Sequence, residues 1–258
     1  MQNIIEYKGW IIAEVFLLLF GLEHIRPAVK AGLHPVKRII KNLSFWPVNI
    51  GLSLAVILPV TYWASQHALW ERPEGVSGKA GFVLDILILD LFIYWWHRAL
   101  HKIPFFWRFH EVHHLDEHLD TTSAIRFHFG EIFFATFVRA VVVMIFAVPF
   151  TSVIIFEVLV LAFTLFHHSN IEFPPRFENA LSKIIITPSI HWVHHHAILK
   201  DTNSNYSTLF SFWDNLFKSK SKTKRFITMK IGVEGYKDRS FLKLLLSPFA
   251  SRSATPLP

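Results

Sequence analysis

Apolar residues fall in long blocks along this chain, separated by short polar and basic segments. Three blocks, near 10–26, 46–65 and 81–97, have the length and composition of membrane spans. A fourth, at 131–168, is interrupted near its middle by Pro149. A helix needs about 20 apolar residues to cross a bilayer core, so this block is long enough to enter and return. It is expected to form a helical hairpin turning at 148–152. The pattern predicts an all-α fold, a multi-pass membrane helical bundle of about four transmembrane helices. The whole of 1–258 reads as a single membrane domain without repeats.

Composition sharpens this picture. Hydrophobic residues make up 52% of 258, with 26 Phe and 9 Trp, too apolar for an ordinary soluble domain. No small-residue cleavage site follows the first block, so it reads as an uncleaved anchor. The absence of cysteine excludes disulfides, thiolate nucleophiles and iron–sulfur ligation.

A net charge of +7 would suggest nucleic acid in a soluble protein; here its placement carries the information, and no nucleic-acid partner is expected. Arg26, Lys30, Lys37, Arg38 and Lys41 follow the first block, and Arg98, Lys102, Arg108 and Arg126 follow the third. Arg72 and Lys79, in the loop 66–80, are offset by Glu71 and Glu74. With alternating crossings, the basic segments share one side, which the positive-inside bias makes cytoplasmic. The expected location is a bacterial cell membrane or the endoplasmic reticulum. Segments 97–130 and 169–217 then form a cytoplasmic histidine-rich cap. A basic tail, 218–258, includes "SKSKTKR", read as a solvated stretch near anionic lipid.

Histidine is the candidate chemistry. His97 and His101 are one helical turn apart at the end of the third block, with Asp90 and Tyr94 on the same stripe. Asp90 is a candidate partner for the second N–H of a ligand imidazole. "HEVHH" supplies His110, His113 and His114, and "HWVHHH" repeats the spacing with His191, His194 and His195. A helix is expected to aim each trio toward one place. Eight imidazoles are too many for one tetrahedral zinc and suit two metals, with iron, zinc and copper all compatible.

His168, with Asn170 just beyond, is a candidate ninth ligand, and His128 either a ligand or a supporting group. His167 is expected to point about 100° away from its neighbour and to be structural. His24, His34, His67, His118 and His196 are expected at exposed or interfacial positions. Trp95, Trp96, Phe105, Phe106 and Trp107 form an expected interfacial belt, with some lining a lipid channel. Arg139 and Glu157 lie at similar depth in the hairpin and are expected to pair or line a polar cavity. "HEVHH" also matches the H-E-x-x-H zinc-hydrolase pattern, which keeps open an intramembrane zinc hydrolase with Glu111 as base.

The ordered set D-x-x-x-Y-x-x-H-R-x-x-H (90–101), H-x-x-H-H (110–114), "FHHSN" (166–170) and P-x-x-H-x-x-H-H (188–195) resembles the fatty acid hydroxylase/sterol desaturase superfamily. "DTNSNYSTLFSFWDNLF" looks like that family's ending, with an insertion at Asn203–Ser204; Trp192 stands where many members carry arginine. The resemblance implies a membrane non-haem di-iron enzyme that uses O2 and two electrons to hydroxylate or desaturate a lipid C–H bond. The implied ligands are His97, His101, His110, His113, His114, His168, His191, His194 and His195. Asp201, Asn205, Tyr206, Trp213 and Asp214 are implied as supporting residues. Electrons are expected from NAD(P)H through a separate protein, a ferredoxin or a b-type cytochrome with its reductase, and the substrate from the bilayer.

Overall fold

The computed structural model describes residues 2–30 and 34–250; positions 251–258, the end of the basic tail, lie outside them. All regular elements among these residues are helical, and the only β pairings are isolated bridges. α1 runs Gln2–Ile25, α2 Pro35–Gln66, α3 Gly78–Lys102, α4 Pro104–His114, α5 Phe129–Phe146 and α6 Phe150–His168. Short helices follow: α7 Pro175–Leu181, α8 Pro188–His194, α9 Leu199–Thr202, α10 Phe212–Leu216 and α11 Phe241–Leu246.

Four helices, α2, α3, α5 and α6, are long and apolar enough to cross a membrane. Helices suit that setting because each backbone bond closes within its own segment. α1, the first expected span, is helical but carries Lys8, Glu14 and Glu23 and is not among the four. α2 is longer than the expected 46–65. It contains a π-helical turn, Ser53–Ile57, immediately before Leu58 and Pro59, where the missing proline N–H relaxes the ladder.

Contacts fix which ends share a side. Arg38 and Asn42 near the start of α2 bond Asp116, just after α4. The loop after α2 meets the end of α5, with Trp70 Nε1 donating to the Ile145 carbonyl. Arg72, also in that loop, bonds Asp85 at the start of α3, and Asp85 bonds Ser152 at the start of α6. The hairpin turn falls at Ala147–Pro149, slightly tighter than expected; Ala147 ends α5 in the left-handed region, φ 50°. α1 runs parallel to α6, because Lys8 meets Glu157 and Glu23 meets Asn170. The end of α3, all of α4, the start of α5, the end of α6 and all of α8 therefore lie at one end of the bundle.

Ala64, Leu89, Val143, Val153 and Phe156 form the core shared by α2, α3, α5 and α6. Leu17, Leu18, Leu54 and Val141 face outward and remain largely exposed, as lipid-facing side chains must. In the basic tail the lysines of "SKSKTKR" are exposed, while later residues turn inward. Met229 and Ile231 pack with Trp192, and Leu244 of α11 packs with Phe45 and Val112.

Candidate metal centre

Ile103 is extended and Pro104 begins a new helix, so the chain breaks between α3 and α4 and folds α4 back across the end of α3. This fold-back brings together histidines from α3 and α4. Thr187–Pro188 starts α8 in the same way. The nine expected ligands assemble into two adjoining groups. His97, His101, His110, His114 and His194 form one, and His113, His168, His191 and His195 the other; within each, one nitrogen per ring lies within 4.8 Å of all the rest.

The two H-x-x-H-H motifs do not each aim at one place, as expected. His110 and His114, one turn apart, join the first group while His113 joins the second. In the other motif His191 and His195 join the second group while His194 joins the first. Successive helical residues point about 100° apart, so one motif can serve two centres at once. The groups touch: the His114 and His195 rings stack with centroids 4.2 Å apart.

Hydrogen bonds orient the rings. Nδ1 of His97 donates to the Tyr206 carbonyl at 2.8 Å, His168 Nδ1 to the Thr164 carbonyl at 2.8 Å and His194 Nδ1 to the Ser204 carbonyl at 2.7 Å. His110 Nδ1 lies 3.0 Å from Glu131 Oε2. Each bond leaves Nε2 as the free lone pair, the arrangement a metal requires. Ser204 thus positions a histidine through its backbone carbonyl.

The site fits metal ions. Nε2 of His101, His110, His114 and His194 is buried without a hydrogen-bond partner. In the second group, Nε2 atoms are 3.0 Å apart between His113 and His168, 2.9 Å between His168 and His191, and 3.1 Å between His191 and His195. For metal–nitrogen bonds of about 2.1 Å, ligands at right angles lie about 3.0 Å apart and tetrahedral ones about 3.4 Å. Burial first, then neighbouring imidazoles, holds His113, His114, His191 and His195 well below the usual histidine range, and burial lowers His194 to about 3. These rings are neutral and available as ligands.

Several expected roles need correction. Asp90 bonds no histidine. Its carboxylate accepts from the backbone N–H of Leu209 and Phe210 and, at 2.8 Å, from Trp213 Nε1, which ties 209–213 to α3. His128 belongs to neither group: Nδ1 accepts from the Gly130 N–H and Nε2 donates to the Leu245 carbonyl, so it caps α5. Asn170 clasps the backbone of Val29 instead of facing a ring. His196 is buried rather than exposed, its Nδ1 2.8 Å from Asp201. His24, His34 and His67 are exposed, as expected, and His118 is half-buried.

Other expected supports surround the site. Asp214 accepts from the N–H groups of Tyr206 and Ser207, holding the carbonyl that meets His97. Asn205 takes φ 53° and bonds Ile190 and Ser221. The Tyr94 hydroxyl meets Ser219 at 2.8 Å. His167 lies outside both groups with its ring 4.0 Å from that of His191. Of the aromatics, Trp95 and Phe105 are exposed like a belt, while Trp107 is buried against His101 and His114. Buried Trp192 carries the Arg225 guanidinium 3.9 Å above its ring.

Sequence reasoning missed three residues. Glu131 reads as an ordinary helix-start carboxylate, and its contact with His110 spans 21 residues. Glu23 accepts from the N–H groups of Thr121 and Asn170, joining α1 to both sides of the site. Arg126, counted above as a topological charge, is fully buried, donates to the Val112 carbonyl and pairs with Asp238.

An apolar cavity of about 310 Å³ opens onto the histidines between α3, α5 and α6. His97, His110, His113, His168 and His191 face it, as does Glu131; Glu111 is not on its wall.

Comparison with known protein families matches residues 82–219, more than half of the chain, to the fatty acid hydroxylase family. The chain is 27% identical to the ornithine lipid hydroxylase of Rhizobium tropici over 66% of its own length and 50% of that protein. It is 26% identical to mouse cholesterol 25-hydroxylase over 83% of its length and 73% of the relative. Similarity to the alkylglycerol monooxygenase of Caenorhabditis elegans is 25% over 66% of this chain and 32% of that one. The chain thus spans half the length of its rhizobial relative and about a third of the nematode one. No solved structure matches it. The matched segment contains every histidine of both groups, and on that match the chain belongs to the fatty acid hydroxylase family.

Proposed function

We propose that this chain is a membrane-embedded oxygenase. It would use two iron ions, O2 and two externally supplied electrons to hydroxylate a C–H bond of a lipid. The observation that carries this reading is the division of nine imidazoles into two adjoining groups beside one apolar cavity, with five of them on its wall. His97, His101, His110, His114 and His194 would hold one ion, and His113, His168, His191 and His195 the other. Bound iron would supply the activation of O2 that no side chain can provide.

The chain's own residues do the rest. The carbonyls of Tyr206, Thr164 and Ser204, with the carboxylate of Glu131, orient four rings. Apolar walls including Phe92, Ile93, Trp96 and Val160 hold hydrocarbon and exclude water beside the histidines. Nine imidazoles in two groups exceed what one tetrahedral zinc takes and suit a pair of ions, and imidazole is a good iron ligand. Hydroxylation is preferred to desaturation because the family and the three relatives above are hydroxylases or a monooxygenase. The hydrolase alternative gains no support, since Glu111 is off the cavity wall.

The whole chain acts as one membrane domain, with the histidine end on the cytoplasmic side, a reading supported by the basic residues there. A ferredoxin or a b-type cytochrome with its NAD(P)H-dependent reductase would deliver electrons from that side.

The test is metal analysis of the purified protein joined to lipid analysis of cells with and without the gene under ¹⁸O2. Two irons per chain and a lipid product that gains label are expected. One zinc per chain, with activity abolished by Glu111→Gln, would overturn the reading.

A further inference from the structure

The cavity beside the histidines is not lined by hydrocarbon alone. Its wall also carries Lys8 of α1, Arg139 of α5 and Glu157 of α6. Arg139 Nη2 lies 2.9 Å from Glu157 Oε1 and donates to Thr61 Oγ1 at 3.1 Å. Lys8 Nζ takes the other carboxylate oxygen, Oε2. The pairing expected for Arg139 and Glu157 is therefore present, with a second cation added. Two cations face one carboxylate, leaving one positive charge within the bundle.

A clamp between helices explains a carboxylate with one cation. It does not explain the second, because an unbalanced charge inside a membrane is expensive. Nor does a clamp need all three side chains on a cavity wall. The unused groups are donors: Arg139 Nε is buried without a hydrogen-bond partner, and the Lys8 ammonium has further N–H bonds beyond the one to Glu157. A site with spare donors and spare positive charge is built for an acceptor oxygen.

We propose that this trio binds the polar end of an amphiphilic substrate, a carboxylate or hydroxyl oxygen accepting from Arg139 and Lys8, with the hydrocarbon running back toward the histidines. The proposal rests on the reading that the cavity holds the lipid substrate, and it specifies which way round that substrate lies. Glu157 and His168 are eleven residues apart on α6, and Arg139 and Glu131 eight apart on α5. At 1.5 Å per residue the polar and histidine ends are separated by roughly 12–16 Å. An extended chain advances about 1.3 Å per carbon–carbon bond of about 1.5 Å. The carbon at the histidines thus lies roughly ten carbons from the anchoring oxygen, so a position remote from the polar group is attacked.

Equilibrium binding of dodecanoic acid, 1-dodecanol and dodecane to the purified full-length protein in phosphatidylcholine nanodiscs tests this. The acid or the alcohol should bind at least tenfold more tightly than the alkane. Preference for the acid assigns a carboxylate, preference for the alcohol a hydroxyl, and either supports the anchor. Lys8→Met leaves the neutral Arg139–Glu157 pair, so its fold is retained. It should weaken the preferred ligand roughly tenfold, the loss of one charge-assisted hydrogen bond, without changing dodecane binding. Arg139→Lys, which keeps the charge and removes the Nε donor, should also weaken it. Equal binding of all three probes, or a preference that survives in Lys8→Met, overturns the anchor and leaves the oxygenase reading to iron content and ¹⁸O labelling. Absence of binding by every probe overturns it as well, and the iron and label measurements then decide separately whether the oxygenase reading stands.

Discussion

The Glu131 carboxylate lies 3.0 Å from Nδ1 of His110, and both residues face the cavity. A carboxylate behind a ligand imidazole fixes the ring and raises its basicity, and loss of such a partner costs about 10–100-fold in metal affinity. Glu131→Ala should reduce metal affinity by that order, read by competition with a chelator. Glu131→Gln keeps an acceptor and should fall between Ala and the native protein. Native affinity in Glu131→Ala would mean the contact is incidental.

Asp90 gathers three donors from 209–213 and touches no histidine. Asp90→Ala leaves those donors buried without an acceptor and should cost about 3 kcal/mol or more in stability. Denaturation in detergent should show that loss, while the folded fraction still binds its full complement of metal. Loss of metal without loss of stability would restore the role first expected of Asp90.

Gly130 follows the cap of α5, and a Cβ there would sit 2.6 Å from Cδ1 and Cε1 of buried Phe109 and 3.1 Å from His128 Nδ1. Phe109 precedes His110, so it has little freedom to yield. Gly130→Ala should destabilise the protein by about 1–3 kcal/mol. An unchanged thermal midpoint would contradict this packing.

Buried neutral rings predict the pH response of the metal-free protein. Burial and neighbouring imidazoles depress His113, His114, His191 and His195, and burial takes His194 to about 3. The unfolded chain protonates near pH 6.5 and the folded one does not. Stability is therefore complete above about pH 6.5 and declines as the pH falls toward 3. The thermal midpoint should hold nearly constant from pH 8 to about pH 7 and drop from there to pH 4, and metal should delay the drop by competing with protons. A flat midpoint down to pH 5 would mean that the rings are solvated.

Much of this was legible in the sequence because its signals are local. Helical spacing exposed the pairs His97/His101, His110/His114 and His191/His195, and Pro149 marked the hairpin turn. What escaped depends on distant segments meeting. The spacing of each H-x-x-H-H motif is the same whether its three rings serve one centre or two, and only the packing of α4 against α8 decides. Asp90 lies on the histidine stripe, yet Trp213 approaches from 123 residues away and claims it. Arg126 and the 226–249 segment look like solvent-facing basic chain because the carboxylates and apolar partners that bury them are elsewhere.

The exchange of one histidine between the two motifs has a consequence for assembly. His113 and His114 are neighbours on one helix, as are His194 and His195 at the end of another, yet each neighbour serves the opposite group. Fixing either helix to seat one ion also sets the angle at which the adjacent ring meets the other. Occupancy should therefore be cooperative: titration with metal should pass from empty to doubly filled chains with few singly filled ones, and withdrawing one ion should loosen its companion.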